Sequence, residues 1–154
     1  KVFEYQLGIA RELNLPVIIH ARESLEVIFT SLKKYPYLKG IFHCFSGDIN
    51  QAEQAIDRGF LLGIGGVVTF KNTQLDKVLL KTGLFSLVLE TDSPYLAPVP
   101  YRGKRNESSY IPLIAQKIAD ILQEDIKKIE KITTQNAMNL FTLHPENASN
   151  RQYE

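Results

Sequence analysis

The sequence predicts an α/β fold built on a parallel sheet or barrel, and three observations carry that expectation. Short apolar runs rich in β-branched residues begin near residues 16, 40, 60 and 86. Amphipathic helical patterns lie between them. The separations are too long for hairpins and suit the helical crossovers that parallel strands require.

Taken in order, a helical pattern runs to about Leu13 and gives way at Pro16 to "PVIIHA", a β-branched strand. Leu25, Ile28, Phe29 and Leu32 then share one face of a helix. Gly40 opens "GIFHCFSG", a second strand. Asp48 is placed to cap the following helix, with Gln51 at the capping-box spacing and Gly59 where a glycine stops it. "FLLGIGGVV" reads as the third strand, a helix spans Leu75 to Thr82 and ends at Gly83, and "SLVLE" is the fourth strand. Ile111, Ile114, Ala115, Ile118 and Leu122 form one stripe of a helix that tolerates Pro112 in its first turn. A last helix is expected from Thr133 or Thr134 to about Leu143, followed by a polar, frayed tail.

At 154 residues the chain has the length of one ordinary domain, and no linker or low-complexity tract divides it. Its formal net charge is +1, so any contact with a polyanion must come from a local patch. The lone Cys44 cannot form an internal disulfide, and no stretch approaches transmembrane length. A cytoplasmic location without membrane contact is therefore expected. The chain opens Lys-Val-Phe-Glu-Tyr, without Met and partway through a helical pattern, which suggests that an N-terminal part is missing.

Ligands in parallel α/β folds bind at the carboxyl ends of the strands. Three of the four strands end in a metal-competent side chain: His20, His43, and Asp92 with Glu90. The glycine-rich third strand offers none. Strand alternation groups Val88, Glu90 and Asp92 on one face, and Ile41, His43 and Phe45 on one face. If these faces line a barrel interior, His20, His43 and Asp92 converge at its mouth. Two imidazoles and a carboxylate suit a divalent ion such as zinc or manganese. Glu90 lies a layer deeper, either as a direct ligand, as a carboxylate supporting a ligand, or as half of a buried ion pair. Cys44 is expected on the opposite face from His43 in a small apolar role, and His144 at the surface. After Asp92, a proline-studded loop brings Arg102, Lys104 and Arg105 close behind the acids; with Arg22 they form a candidate phosphate site or a solvated surface.

The blocks "LPVIIHARES", "GIFHCFSGD", "GIGGVVTFKN" and "LETDSPYLAPVPYRGKRNE", with "TTQNAMNLF" near the end, resemble the TatD family of metal-dependent deoxyribonucleases. The resemblance covers nearly the whole chain. It implies an amidohydrolase-type (β/α)8 TIM barrel whose last four βα units are supplied by this chain. It implies that His20 and His43 are the metal-binding histidines of the fifth and sixth strands. Asp92 would be the eighth-strand aspartate, which binds metal and takes a proton from the attacking water. It further implies two divalent ions (Mg, Mn or Zn) and hydrolysis of DNA phosphodiesters, often from an end, by metal-activated water. The family's His-x-His and fourth-strand glutamate have no counterpart here, since Glu4 lies in the opening helix. Residues 1–154 are thus expected to be the C-terminal part of a single barrel domain, with the remaining part in another chain or lost. Two other readings stand beside this one: a metal hydrolase of a small ester, lactone or amide, and a non-catalytic partial barrel that needs a partner half.

Overall fold

The computed structural model describes residues 1–143, and His144 lies outside them. The elements run α1 (Val2–Glu12), β1 (Val17–His20), α2 (Leu25–Leu32), β2 (Gly40–His43), α3 (Ile49–Asp57) and β3 (Phe60–Ile64). After a 3₁₀ turn at Gly66–Thr69 come α4 (Leu75–Thr82), β4 (Leu87–Leu89), a second 3₁₀ turn at Ser108–Tyr110, α5 (Ile111–Leu122) and α6 (Ile126–Phe141). No helix among the described residues is long and apolar enough to cross a membrane.

The strands form one parallel sheet in the order β1-β2-β3-β4. Register pairs His20 with His43 and Gly63 with Val88, so the polar strand ends stand side by side. One face of the sheet carries Ile19, Phe42, Leu62, Ile64 and Leu87 into a core with Phe29, Leu32, Val78, Ile114, Ile118 and Ile129 from the helices. The rings of Phe29, Phe42 and Phe60 pack in sequence at centroid distances of 5.3 and 5.2 Å. Burial of such side chains contributes roughly 1.5–3 kcal/mol each, so the helix-covered face anchors the sheet. The other face carries Ile18, which is 62% exposed, and the buried Ile41 and Val88.

Local signals act as read from the sequence. Asp48 accepts the Gln51 amide at 2.8 Å, and the Gln51 side chain accepts the Asp48 amide at 3.1 Å, closing the capping box. Gly59 and Gly83 follow α3 and α4 with φ of +80° and +69°, which L side chains rarely adopt. Asp48→Ala is expected to lower the unfolding free energy by about 1 kcal/mol, read as a shift in denaturant midpoint with unchanged slope.

Four expectations are corrected. The third strand stops at Ile64, because Gly66 packs so tightly on the loop after β4 that an added Cβ would stand 2.2 Å from the Leu96 carbonyl oxygen. The last helix starts at Ile126, well before Thr133. Gln123 ends α5 with φ 54°, and Asp125 caps α6 by accepting the Lys127 amide at 2.8 Å. Ile129 and Thr133 then form its buried face. Phe45 does not share a face with Ile41: Cys44 has φ 48°, which breaks the alternation and turns Phe45 into the helix-side core. Asp92 likewise lies beyond β4, which ends at Leu89, and has φ 55°.

Candidate metal centre

His43 closes β2 and receives both acids of the following elements. Its Nδ1 donates to Glu90 Oε2 at 2.6 Å, and its Nε2 lies 3.1 Å from Asp92 Oδ1. The Glu90 contact occupies Nδ1 and fixes the ring's orientation, so Nε2 is the nitrogen turned toward Asp92. A carboxylate that holds the far nitrogen of a ligating histidine sets the ring's direction and raises its basicity. That is the geometry of Glu90 here, and it favours the supporting role over direct ligation.

Glu90 is itself held in place. Its Oε1 accepts the Cys44 amide at 2.9 Å, and its own amide donates to Ile64 at 3.1 Å. The left-handed turn at Cys44 aims that amide at the carboxylate. Gly63 makes the room: an added Cβ would stand 2.5 Å from Glu90 Oε2. The third strand thus serves the site by lacking a side chain where the carboxylate must pass, a role its glycines alone did not reveal.

Charge at the site is concentrated and negative. Burial pushes the Glu90 carboxyl up, opposed by His43 and by the Cys44 amide. The Cys44 thiol is pushed up to about 11, first by burial and then by Glu90 and Asp92. Both causes favour the thiol form of the half-buried Cys44 over the thiolate. It also feels both acids of the site, instead of sitting in apolar surroundings as expected.

His20 closes β1 next to His43, with ring centroids 5.5 Å apart, and is exposed. Among the described residues no three His, Cys, Asp or Glu side chains stand close enough to enclose an ion. Two donors of the kind a divalent cation takes do stand together, His43 Nε2 and Asp92 Oδ1 at 3.1 Å, with the His20 ring beside His43. Glu90→Gln is expected to weaken metal binding 10- to 100-fold, because the amide no longer holds His43 with a full charge. Calorimetric titration of the intact protein measures this, and unchanged affinity would place Glu90 outside the centre.

The loop after β4 is pinned by Asn106, which is 1% exposed. Its Nδ2 donates to the carbonyls of Thr91 and Tyr95, both at 2.6 Å, and its Oδ1 accepts the Glu107 amide at 2.9 Å. Ser93 Oγ donates to the Asn106 carbonyl at 2.8 Å. These bonds bracket Asp92 and hold the backbone on either side of it, yet the sequence offered only one more polar residue in a polar loop. Asn136 on α6 acts similarly on β4, donating to Phe85 and Leu87 at 3.0 and 2.8 Å. Of the basic residues, Arg22, Lys104 and Arg105 are exposed on their loops. Arg102 instead lies over the Phe70 ring, 3.8 Å from its centroid.

A parallel α/β sheet with imidazoles and carboxylates gathered at its strand ends defines the class of metal-dependent hydrolases built on barrel-type sheets. Residues 1–142 match the family described as TatD related DNase, and the chain belongs to that family. It is 42% identical over 147 residues to the uncharacterized metal-dependent hydrolase YabD of Bacillus subtilis, covering 94% of this chain and 58% of the relative. It is 37% identical over 142 residues to the uncharacterized metal-dependent hydrolase YcfH of Escherichia coli K12, covering 90% and 54%. The crystal structure of YJJV, a TatD homologue from Escherichia coli K12, superposes with a TM-score of 0.84 at 29% identity, over 90% of this chain and 54% of that one. The chain thus spans little more than half the length of these relatives.

Proposed function

We propose that the protein acts as a divalent-metal-dependent hydrolase of DNA phosphodiesters. The observation that carries this reading is the orientation of His43 between Glu90 and Asp92, with Nε2 facing a carboxylate oxygen 3.1 Å away. His20, His43 and Asp92 are the residues that would hold metal, two ions in the complete site. Bound there, a divalent ion supplies Lewis-acid polarisation of a phosphoryl oxygen and lowers the pKa of coordinated water. Asp92 accepts the proton released by the attacking water. The Asn106-pinned loop holds the backbone on either side of it. Glu90 holds the His43 ring in one orientation. Arg22, Arg102, Lys104 and Arg105 supply positive charge for the phosphates, which compensates a global charge of only +1.

The exposed Ile18 on the face away from the helices and the length of the relatives support a further part of this reading. The four βα units form part of a TIM barrel, and the remaining metal ligands belong to the other part, in the same protein or in a partner chain. The single free thiol fits a reducing, cytoplasmic location.

Release of nucleotides from single-stranded DNA by the intact protein tests the proposal. Release is expected on adding Mg or Mn and is expected to stop on chelation. Substrate affinity is expected to fall steeply with salt, because phosphate contacts release counterions. A protein that ignores DNA and hydrolyses a small ester with a salt-insensitive KM is instead the small-molecule hydrolase.

A further inference from the structure

A cavity of about 450 Å³ lies beside the turn that follows β3, and the site chemistry described so far does not use it. Its floor is apolar, with Val67, Phe70 and Val99. Lys71 and Arg102 bring positive charge to its lining, Asn72 and Thr73 bring polar groups, and no carboxylate lines it. No ion pair among the described residues engages Lys71 or Arg102. Arg102 is exposed, yet its guanidinium is laid over the Phe70 ring at 3.8 Å.

The cavity is tied to the metal centre through a short, firmly held connection. Gly65 lies against Glu90, where an added Cβ would stand 3.4 Å from Oε1. The 3₁₀ turn Gly66–Thr69 leads from there to Phe70. Val67, two residues beyond Gly65, already lines the cavity, so it opens within a short stretch of chain from the Glu90 carboxylate. Thr69 Oγ1 accepts the Val99 amide at 2.9 Å and donates to the Gly66 carbonyl at 2.7 Å, locking the turn to the loop that carries Arg102. The cavity wall is therefore formed before any ligand arrives.

We infer that this cavity seats the base of a single-stranded DNA substrate one or two nucleotides from the scissile phosphodiester, stacked on the outer plane of the Arg102 guanidinium. The inference rests on the DNA-hydrolase reading and names a subsite within it. A phosphate alone needs cations but no apolar floor, and an uncharged ester needs neither unpaired cation. A nucleotide needs both: a flat apolar surface for its base and positive charge for its backbone. Arginine planes are stacking platforms for unpaired bases, and Phe70 holds this guanidinium against its ring at 3.8 Å. Lys71 is left to meet the adjoining phosphate. Arg102 thereby sets how the strand is held, in addition to lending charge.

The test is a scan of abasic sites along a single-stranded oligonucleotide carrying phosphorothioate linkages, with binding to the intact protein followed by fluorescence anisotropy. One abasic position near the cleaved bond is expected to weaken binding roughly tenfold, the scale of one base–side-chain stack. Arg102→Ala is expected to abolish that penalty. Arg102→Lys keeps the charge but has no planar face, so it should lose the penalty while retaining the salt dependence of wild type. A flat scan in wild type that still binds and cleaves DNA would overturn the subsite alone, as would Arg102→Lys retaining the full penalty. An intact protein that binds no oligonucleotide at low salt overturns both the subsite and the DNA reading.

Discussion

Asp92→Asn is expected to lower turnover on single-stranded DNA by a factor on the order of 10²–10⁴, the usual worth of a positioned general base. Asparagine is the informative replacement for two reasons. Asp92 sits at φ 55°, in the left-handed region that Asp and Asn tolerate better than other side chains, so the backbone need not move. The amide also keeps the shape of the group that faces His43 Nε2 at 3.1 Å, while losing the charge and the ability to take a proton. A fall in kcat with little change in KM identifies a contribution made in the transition state. Because Asp92 is also assigned to metal, the variant is to be assayed at saturating metal. Turnover within twofold of wild type under those conditions would remove Asp92 from the mechanism.

Asn106→Ala is expected to destabilise the protein by roughly 2–4 kcal/mol, because it strands the buried groups that Asn106 satisfies. Two carbonyls, of Thr91 and Tyr95, and the Glu107 amide lose their partners together. The side chain is 1% exposed, so water does not readily replace it. Asn106→Asp is not expected to rescue the loss, since a carboxylate presents acceptors to carbonyls that need donors. The same loop carries Asp92 and Arg102, so metal affinity and DNA binding should weaken along with stability. Denaturant unfolding followed on the intact protein measures the first effect, and metal titration the second. A midpoint unchanged by Asn106→Ala would mean that the loop is held by other contacts.

What the sequence made legible follows from how local each signal is. The β-branched runs, the Asp48–Gln51 capping box, and the glycines at 59 and 83 depend on neighbours a few residues away, and each appears where expected. The contacts that bring His43 to the acids of "LETD" lie at the strand ends, the part of a parallel sheet to which the sequence directs attention. The misses are the features set by distant contacts. Strand alternation could not foresee left-handed turns at Cys44 and Asp92, because neither is glycine and their conformations are imposed by Glu90 and by the loop that Asn106 holds. Gly63 looked idle because its purpose is to leave space for a carboxylate from another strand. The contact of Arg102 with Phe70 was not legible because Phe70 belongs to a separate loop. In each case the decisive neighbour is far away in sequence.

The central claim is that His20, His43 and Asp92 belong to one metal centre, with Glu90 behind His43. Anomalous scattering from crystals of the intact protein loaded with manganese or zinc tests it most directly. The account predicts a metal peak within bonding distance of His43 Nε2 and an Asp92 carboxylate oxygen, with His20 in the same centre and Glu90 on His43 Nδ1. A metal bound away from these side chains, or held by His43 through Nδ1, would contradict it.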